Sequence, residues 1–278
     1  MGEQTTGEGE RQPSDVAVAR QRPSRRGLRE ALADIEAFSD TILGLPLRPY
    51  QAEVARAVLA DIDEGRGHTL TVLMPRQSGK NQLSAHLEAY LLTRCQRRGG
   101  SLVKCAPTYR PQVLVSIARL LRALDNPLTA DRWRRRDGHV VELGRASIAF
   151  YSAEPGANVV GGTASLLLEC DEAQDVMPDK WEKDFRPMGA TANATSVLYG
   201  TPWTDDTLLA RQIAANREAE TRDGIRRHFQ VGWEEVARNP LVGGRGRWLW
   251  GGVRISCSRG RASRALPWRS STRRVSPG

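Results

Sequence analysis

The 278-residue chain is 40% hydrophobic and carries four cysteines, which suits one large or two small domains with a substantial core and excludes wholesale disorder and a disulfide-stapled mini-protein. No apolar run reaches the roughly 18 to 20 residues of a membrane span, and the polar stretch Met1–Arg26 lacks the apolar centre of a signal peptide, so the sequence reads as a cytoplasmic protein with no membrane partner and with reduced thiols at Cys95, Cys105, Cys170 and Cys257. The net charge of +9 is not a property of the body: nine of the 41 basic residues, all Arg, fall in residues 239–278, which hold no acid, and the remaining 32 balance the 32 Asp and Glu.

Residues 1–27 are rich in Gly, Glu, Gln, Ser and Arg without periodicity and read as a disordered leader. Apolar residues recur at helical spacing from Leu28 to Leu43, and Pro46 and Pro49 end that pattern. A second amphipathic helix follows, with Val54, Val58, Leu59 and Ile62 on one face, ending near Gly65 and Gly67. The period then switches. His68–Met74 is short and β-rich, and after a polar turn a helix runs over Gly79–Cys95. Ser101–Ala106 predicts a second core strand and Pro111–Leu124 a helix. Residues 126–138 are charged and read as a loop, while Val140–Leu143 and Ser147–Tyr151 read as a hairpin or two edge strands. Ser165–Cys170 and Thr195–Gly200 predict further core strands, Asp205–Glu220 a helix, and His228–Val231 a last strand.

Strands alternating with helices imply an α/β fold, a mostly parallel sheet with helices on both faces, over residues 28–238. Ligands of such sheets sit at the carboxyl ends of the strands. The polar turns after Met74, Cys170 and Gly200 all fall at that edge.

The first turn reads Met74-Pro75-Arg76-Gln77-Ser78-Gly79-Lys80-Asn81. Gly79 and Lys80 match a phosphate loop, whose backbone N–H groups wrap phosphate oxygens while the Lys neutralises charge and the helix start adds a favourable dipole. Met74 stands where the first glycine would be, and Asn81 where a hydroxyl would ligate magnesium. Taken alone, the segment equally describes an ordinary strand-to-helix turn with one Lys. The second turn carries adjacent acids, Asp171-Glu172, at the end of an apolar run. Asp171 suits a magnesium ion and Glu172 suits the orientation of an attacking water; the plain alternative is a helix start enriched in acids by its dipole. Glu169, inside the run, needs a partner if that strand is buried. Gly200-Thr201-Pro202 could sense a terminal phosphate, or is simply a good turn. Gln51, in Leu47-Arg48-Pro49-Tyr50-Gln51, offers a donor and an acceptor suited to an adenine edge, or is a surface residue of a helix that Pro49 starts.

In this order, Pro75-Arg76-Gln77-Ser78-Gly79-Lys80-Asn81, Asp171-Glu172-Ala173 and Gly200-Thr201-Pro202 resemble the ATPase domain of phage terminase large subunits, the DNA-packaging motors of tailed bacteriophages. The likeness covers roughly Leu47 to Pro240. It implies a P-loop NTPase fold that binds ATP and Mg2+. Arg76, Gln77, Ser78, Gly79, Lys80 and Asn81 would cradle phosphates, with Asn81 a doubtful magnesium ligand beside Asp171. Glu172 would be the catalytic carboxylate, assisted by Lys80 and Arg76. Gly200 and Thr201 would form the coupling motif, and Gln51 would lie near the adenine. Implied partners are double-stranded DNA, the portal protein, the small terminase subunit and further copies in a ring, in the cytosol of a bacterial host carrying a phage or prophage. The alternatives are a superfamily two helicase or translocase fragment, for which Asp171-Glu172-Ala173-Gln174 would pass as the second motif, and an inactive truncated product that binds nucleotide.

Terminases of this kind continue into a nuclease domain with clustered acidic metal ligands. No Asp or Glu follows Glu235, so nuclease activity is expected to be absent from this polypeptide. Residues 239–278 form a basic tail rich in Arg, Gly and Ser; with 37 Arg against 4 Lys in the whole chain, the tail reads either as an out-of-frame segment of a GC-rich gene or as a disordered DNA-binding arm. His68, His86, His139 and His228 are scattered without metal-site spacing. Trp181 and Trp203 read as packing residues, and Tyr109-Arg110 as a DNA contact or a solvated helix start.

Overall fold

Asp34 divides the first expected helix in two. It adopts an extended conformation (φ −139°, ψ 132°), and its carboxylate accepts the Ala37 N–H at 3.2 Å, capping a new helix. The computed structural model describes residues 25–159, 161–201 and 204–239, with two short strands at 249–250 and 253–254. Most of the leader and tail, Trp203 and Cys257 lie outside them.

The elements are α1 (Arg25–Ala33), α2 (Ile35–Thr41), α3 (Pro49–Asp63), β1 (Thr69–Leu73), α4 (Lys80–Cys95), β2 (Gly100–Ala106), α5 (Leu114–Leu124), β3 (Trp133–Arg136), β4 (Val140–Leu143), β5 (Ala146–Ser152) and β6 (Leu167–Cys170). Then come α6 (Pro178–Lys180), α7 (Arg186–Ala190), β7 (Thr195–Gly200), α8 (Leu208–Asp223), β8 (His228–Gln230) and α9 (Trp233–Arg238). The chain divides after residue 240 into two units. In the second, β9 (Leu249–Trp250) and β10 (Val253–Arg254) pair antiparallel.

The main sheet has the order β3-β4-β5-β2-β6-β7-β1-β8. From β5 to β8 every neighbouring pair is parallel, and β3-β4-β5 is an antiparallel meander. The 126–138 segment is thus not all loop. Trp133–Arg136 pairs residue by residue with Val140–Leu143, Arg136 opposite Val140 and Trp133 opposite Leu143. An edge strand needs backbone partners on one side only, so its three exposed arginines can face water. β5 is correspondingly no edge, since β2 covers its other side.

Both faces of the sheet are buried, as central parallel strands require. Alternate residues of one strand enter two different cores: Leu102, Leu167 and Val197 join α3 and α4 residues such as Val58 and Leu87, while Val103, Leu168 and Leu198 join Trp181, Phe185 and Leu209. The period-2 rule of strands places them so. Trp181 is buried and stacks on Phe185 at 6.1 Å between ring centroids, so its packing role holds. Cys95, Cys105 and Cys170 are buried free thiols.

The partner that buried Glu169 requires is present. Its Oε1 accepts from Ser84 Oγ at 2.8 Å and from the Tyr199 hydroxyl at 2.9 Å. Lys104 Nζ donates to Ser84 Oγ at 2.6 Å and to Glu88 Oε1 at 2.9 Å. This network ties α4 to β2, β6 and β7 directly beneath the edge that carries the polar turns.

Candidate functional site: a phosphate-loop cleft

The strand order sets β6, β7 and β1 side by side and parallel. The turns that leave their carboxyl ends therefore share one edge. They hold the Met74–Asn81 loop, the Asp171-Glu172 pair and the Gly200-Thr201 turn, with the last between the other two.

The loop needs unusual backbone at two positions. Gln77 has φ 61° and Gly79 has φ 91°, a region that glycine enters without steric cost. At Gly79 space matters as well, because a Cβ there would lie 2.5 Å from Gln51 Nε2. Gly79 then caps α4, its carbonyl accepting from Gln82 and Leu83 at 3.1 and 3.0 Å. The amino end of a four-turn helix thus opens into the cleft, the arrangement that favours bound anions.

Residues before α4 brace the loop from behind. Arg48 Nη1 and the Tyr50 hydroxyl both donate to the Ser78 carbonyl at 2.8 Å. Gln51 Nε2 donates to the Gly79 carbonyl at 3.0 Å, while its Oε1 accepts the Arg48 N–H at 2.9 Å. Gln51 is fully buried. Both ends of its amide are bonded within the protein, so Gln51 is not a surface residue, and in this conformation it braces the loop. Ser78 is buried too, its hydroxyl donating to the Pro75 carbonyl at 2.7 Å. Arg76 and Gln77 are exposed on the rim.

Lys80 projects into the cleft. Its Nζ donates to the Met74 carbonyl at 3.2 Å and lies 3.7 Å from Glu172 Oε1. Burial holds its pKa below the usual lysine value, opposed by the negative charge of Glu172 and Asp171. Asp171 is buried, and burial raises its carboxyl above the usual range, against the pull of Lys104. Glu172 is only partly buried and adopts left-handed backbone (φ 47°, ψ 49°), an uncommon conformation for a residue with a side chain. Its N–H donates to Asp171 Oδ1 at 3.1 Å.

A cavity of about 470 Å³ opens over Lys80 and Glu172, while Asp171, Gly200 and Thr201 are not among its lining residues. Besides the loop and Glu172 it is lined by Gln112, Arg119, Gln174 and Asp175. Gln112, Arg119 and Asp175 are not among the residues that the sequence singles out, and Gln174 enters there only in Asp171-Glu172-Ala173-Gln174, the second motif of the helicase alternative. Arg119 lies on α5, where one exposed Arg among several gives no signal, and the contact of Gln174 with the Thr201 turn is made across segments and leaves no local pattern. A second depression, about 530 Å³, is lined by Leu28, Leu32, Leu128 and several arginines, without carboxylate or glycine loop. It lacks the chemistry of the first. Tyr109 packs against the core and Arg110 is exposed, both outside the loop cleft.

The donor set fits a magnesium ion held largely by phosphate oxygens. Such an ion takes one or two carboxylates and keeps water. Asp171 is a buried carboxylate whose charged form would gain from a nearby cation, and Asn81 offers a neutral amide oxygen beside Lys80. Among the described residues no group of three or more His, Cys, Asp or Glu side chains is placed to hold a metal by itself.

A glycine-lysine loop after β1, an acid pair after β6 and the intervening strand β7 stand at one edge of a mostly parallel α/β sheet. Its fold is similar to that of solved phage large terminases. The crystal structure of the HK97 bacteriophage large terminase superposes with a TM-score of 0.58 at 18% identity, over 74% of this chain and 43% of that one. The large terminase of a thermophilic bacteriophage matches in one crystal form with a TM-score of 0.52 at 10% identity, over 69% of this chain and 47% of that one. Its complex with ADP matches with 0.51 at 10%, over 70% and 48%. The chain thus spans less than half the length of these terminases. No family model matches the sequence, and no curated protein matches it either. No helix among the described residues is long and apolar enough to cross a membrane.

Proposed function

We propose that this chain is the ATP-hydrolysing motor domain of a phage DNA-packaging terminase large subunit, coupling magnesium-dependent ATP hydrolysis to translocation of double-stranded DNA. The observation that carries the reading is the 3.7 Å approach of Lys80 Nζ to Glu172 Oε1 across a cleft floored by a strand-to-helix loop. A buried amine and a half-open carboxylate facing one cavity suit a terminal phosphoryl group and the water that attacks it.

In this reading the Gly79 and Lys80 end of the loop receives the β- and γ-phosphates at the start of α4. The Lys80 amine exchanges its contact with the Met74 carbonyl for phosphate oxygens and neutralises their charge. Glu172 accepts a hydrogen bond from the attacking water and aims its oxygen in line with the β–γ bond; the γ-phosphorus–oxygen bond to ADP breaks as the bond to water forms. Arg76, on the rim, supplies donors to charge that develops on the transferring group. Asp171 and Asn81 would hold magnesium, which would neutralise charge on the phosphates. Gly200 and Thr201 sit between the loop and the acids and would sense the loss of γ-phosphate.

Double-stranded DNA, a portal protein, a small terminase subunit and a ring of further copies are the partners this reading brings, in the cytosol of a bacterial host. No nuclease role is assigned to these residues. The test is phosphate release by the chain and by Glu172→Gln, with and without duplex DNA. Release that Glu172→Gln abolishes supports the reading; equal release from both proteins refutes it. Strand unwinding would point instead to a helicase.

A further inference from the structure

One side-chain amide joins the acid turn to the neighbouring turn. Gln174 Nε2 donates to Glu172 Oε2 at 2.7 Å and to Asp175 Oδ2 at 3.1 Å. Gln174 Oε1 accepts the Thr201 N–H at 3.2 Å. The amide has only one favourable orientation here. Reversed, it would turn its oxygen toward two carboxylates and its NH2 toward a backbone N–H. Because the group is planar and used at both ends, a shift of one bond displaces the other.

The neighbouring strand is shaped to let the amide in. A Cβ on Gly200 would lie 2.4 Å from Gln174 Oε1 and 2.4 Å from Leu209 Cδ2. Gly200 has ordinary backbone, since its φ lies outside the left-handed region, so close approach rather than conformational freedom requires a glycine here. On the other side, the two oxygens of Glu172 are divided: Oε1 faces Lys80 and Oε2 is held by Gln174. A change in what Oε1 contacts therefore alters the Oε2 bond, and through it the bond to Thr201.

We propose that Gln174 is a positioning residue that orients the Glu172 carboxylate and passes changes in that orientation to the Thr201 turn. The inference rests on the reading of Glu172 as the hydrolytic carboxylate. Substrate entering the cleft draws Glu172 Oε1 from Lys80 toward the attacking water, Gln174 follows Oε2, and the Thr201 N–H loses or retilts its acceptor.

The test compares the full chain with Gln174→Met, which keeps length and removes both polar ends, and with Gln174→Glu, which keeps an acceptor for Thr201 but sets a negative charge against Glu172. Three quantities are read: steady-state phosphate release, binding of a fluorescent ATP analogue, and the amide resonance of Thr201 with and without a non-hydrolysable ATP analogue. Both variants are expected to lose about tenfold or more in kcat while analogue affinity stays within about threefold. The nucleotide-induced shift of the Thr201 resonance should disappear in Gln174→Met. Should circular dichroism show that Gln174→Met does not fold, Gln174→Glu carries the kcat and affinity readouts. Wild-type kcat in a folded variant, or a wild-type Thr201 response in Gln174→Met, overturns the inference and leaves the ATPase reading standing. A wild-type chain that releases no phosphate overturns the ATPase reading and this inference with it.

Discussion

Lys104 on β2 and Glu88 on α4 form an ion pair, 2.9 Å between Nζ and Oε1, with both side chains almost wholly removed from water. Glu169 joins them through Ser84, so one cation serves two acids in a closed interior. Breaking a buried pair by removing one partner leaves a charge without compensation and costs about 3–5 kcal/mol, whereas replacing both by apolar residues can be close to neutral. Lys104→Met should accordingly lower the urea midpoint sharply, and Lys104→Met combined with Glu88→Leu should recover a large part of the loss. Denaturant titrations of wild type, single and double variants check this.

The same interior gives a pH dependence. Burial pushes Glu169 up to about 8 from an ordinary 4.5. Between these values the folded chain holds a proton that the unfolded chain has released, so stability falls as pH rises through the window. Glu169→Gln carries no titrating proton at this site. Its stability relative to wild type should increase by at least about 1 kcal/mol between pH 5 and pH 8.5. Urea midpoints at the two pH values measure it, and a difference that shrinks with rising pH would contradict the assignment.

Gln51 offers a choice between two roles that a single variant separates. Gln51→Glu keeps the acceptor for the Arg48 N–H but turns a carboxylate oxygen toward the Gly79 carbonyl, where Nε2 donated. As a strut, it should destabilise the fold by about 1–3 kcal/mol and weaken ATP and GTP binding together. As an adenine reader, it would change the ATP-to-GTP ratio. Competition binding with both nucleotides distinguishes them, and the expected result is an unchanged ratio.

Arg119 lines the cleft from α5 and is otherwise exposed. Arg119→Ala removes an exposed cation and little packing, so the unfolding midpoint should stay within about 0.5 kcal/mol of wild type. On the proposed ATPase reading this side chain contacts the bound nucleotide, so KM for ATP should rise several-fold while kcat changes little, the pattern of an interaction made equally in ground and transition states. Steady-state ATPase assays at varied ATP read it.

Much of the frame was legible in the sequence for a simple reason. β1, β2, β6 and β7 are short apolar runs closed by polar turns, and the segments that carry phosphate and acid chemistry are each contiguous in the chain. What escaped depends on contacts between segments. The Trp133–Arg136 strand is defined by backbone bonds to β4, and its arginines carry a loop's composition. Gln51 acts on a carbonyl 28 residues later and Gln174 on an N–H 27 residues later, so neither role leaves a local pattern. Asp34 shows the opposite case: a local cap that the helical spacing across Leu28–Leu43 concealed.

The turns that lead to Lys80 and to the acids leave strands that are not neighbours, β1 and β6, with β7 between them. Two interstrand spacings, about 9–10 Å, therefore separate the carboxyl ends of those two strands, which β7 joins by backbone pairing on both sides. On the proposed ATPase reading, rotations of Lys80, Glu172 and Gln174 accommodate the stages of turnover, while an alteration within Thr195–Gly200 would shift the turns on both sides of β7 at once.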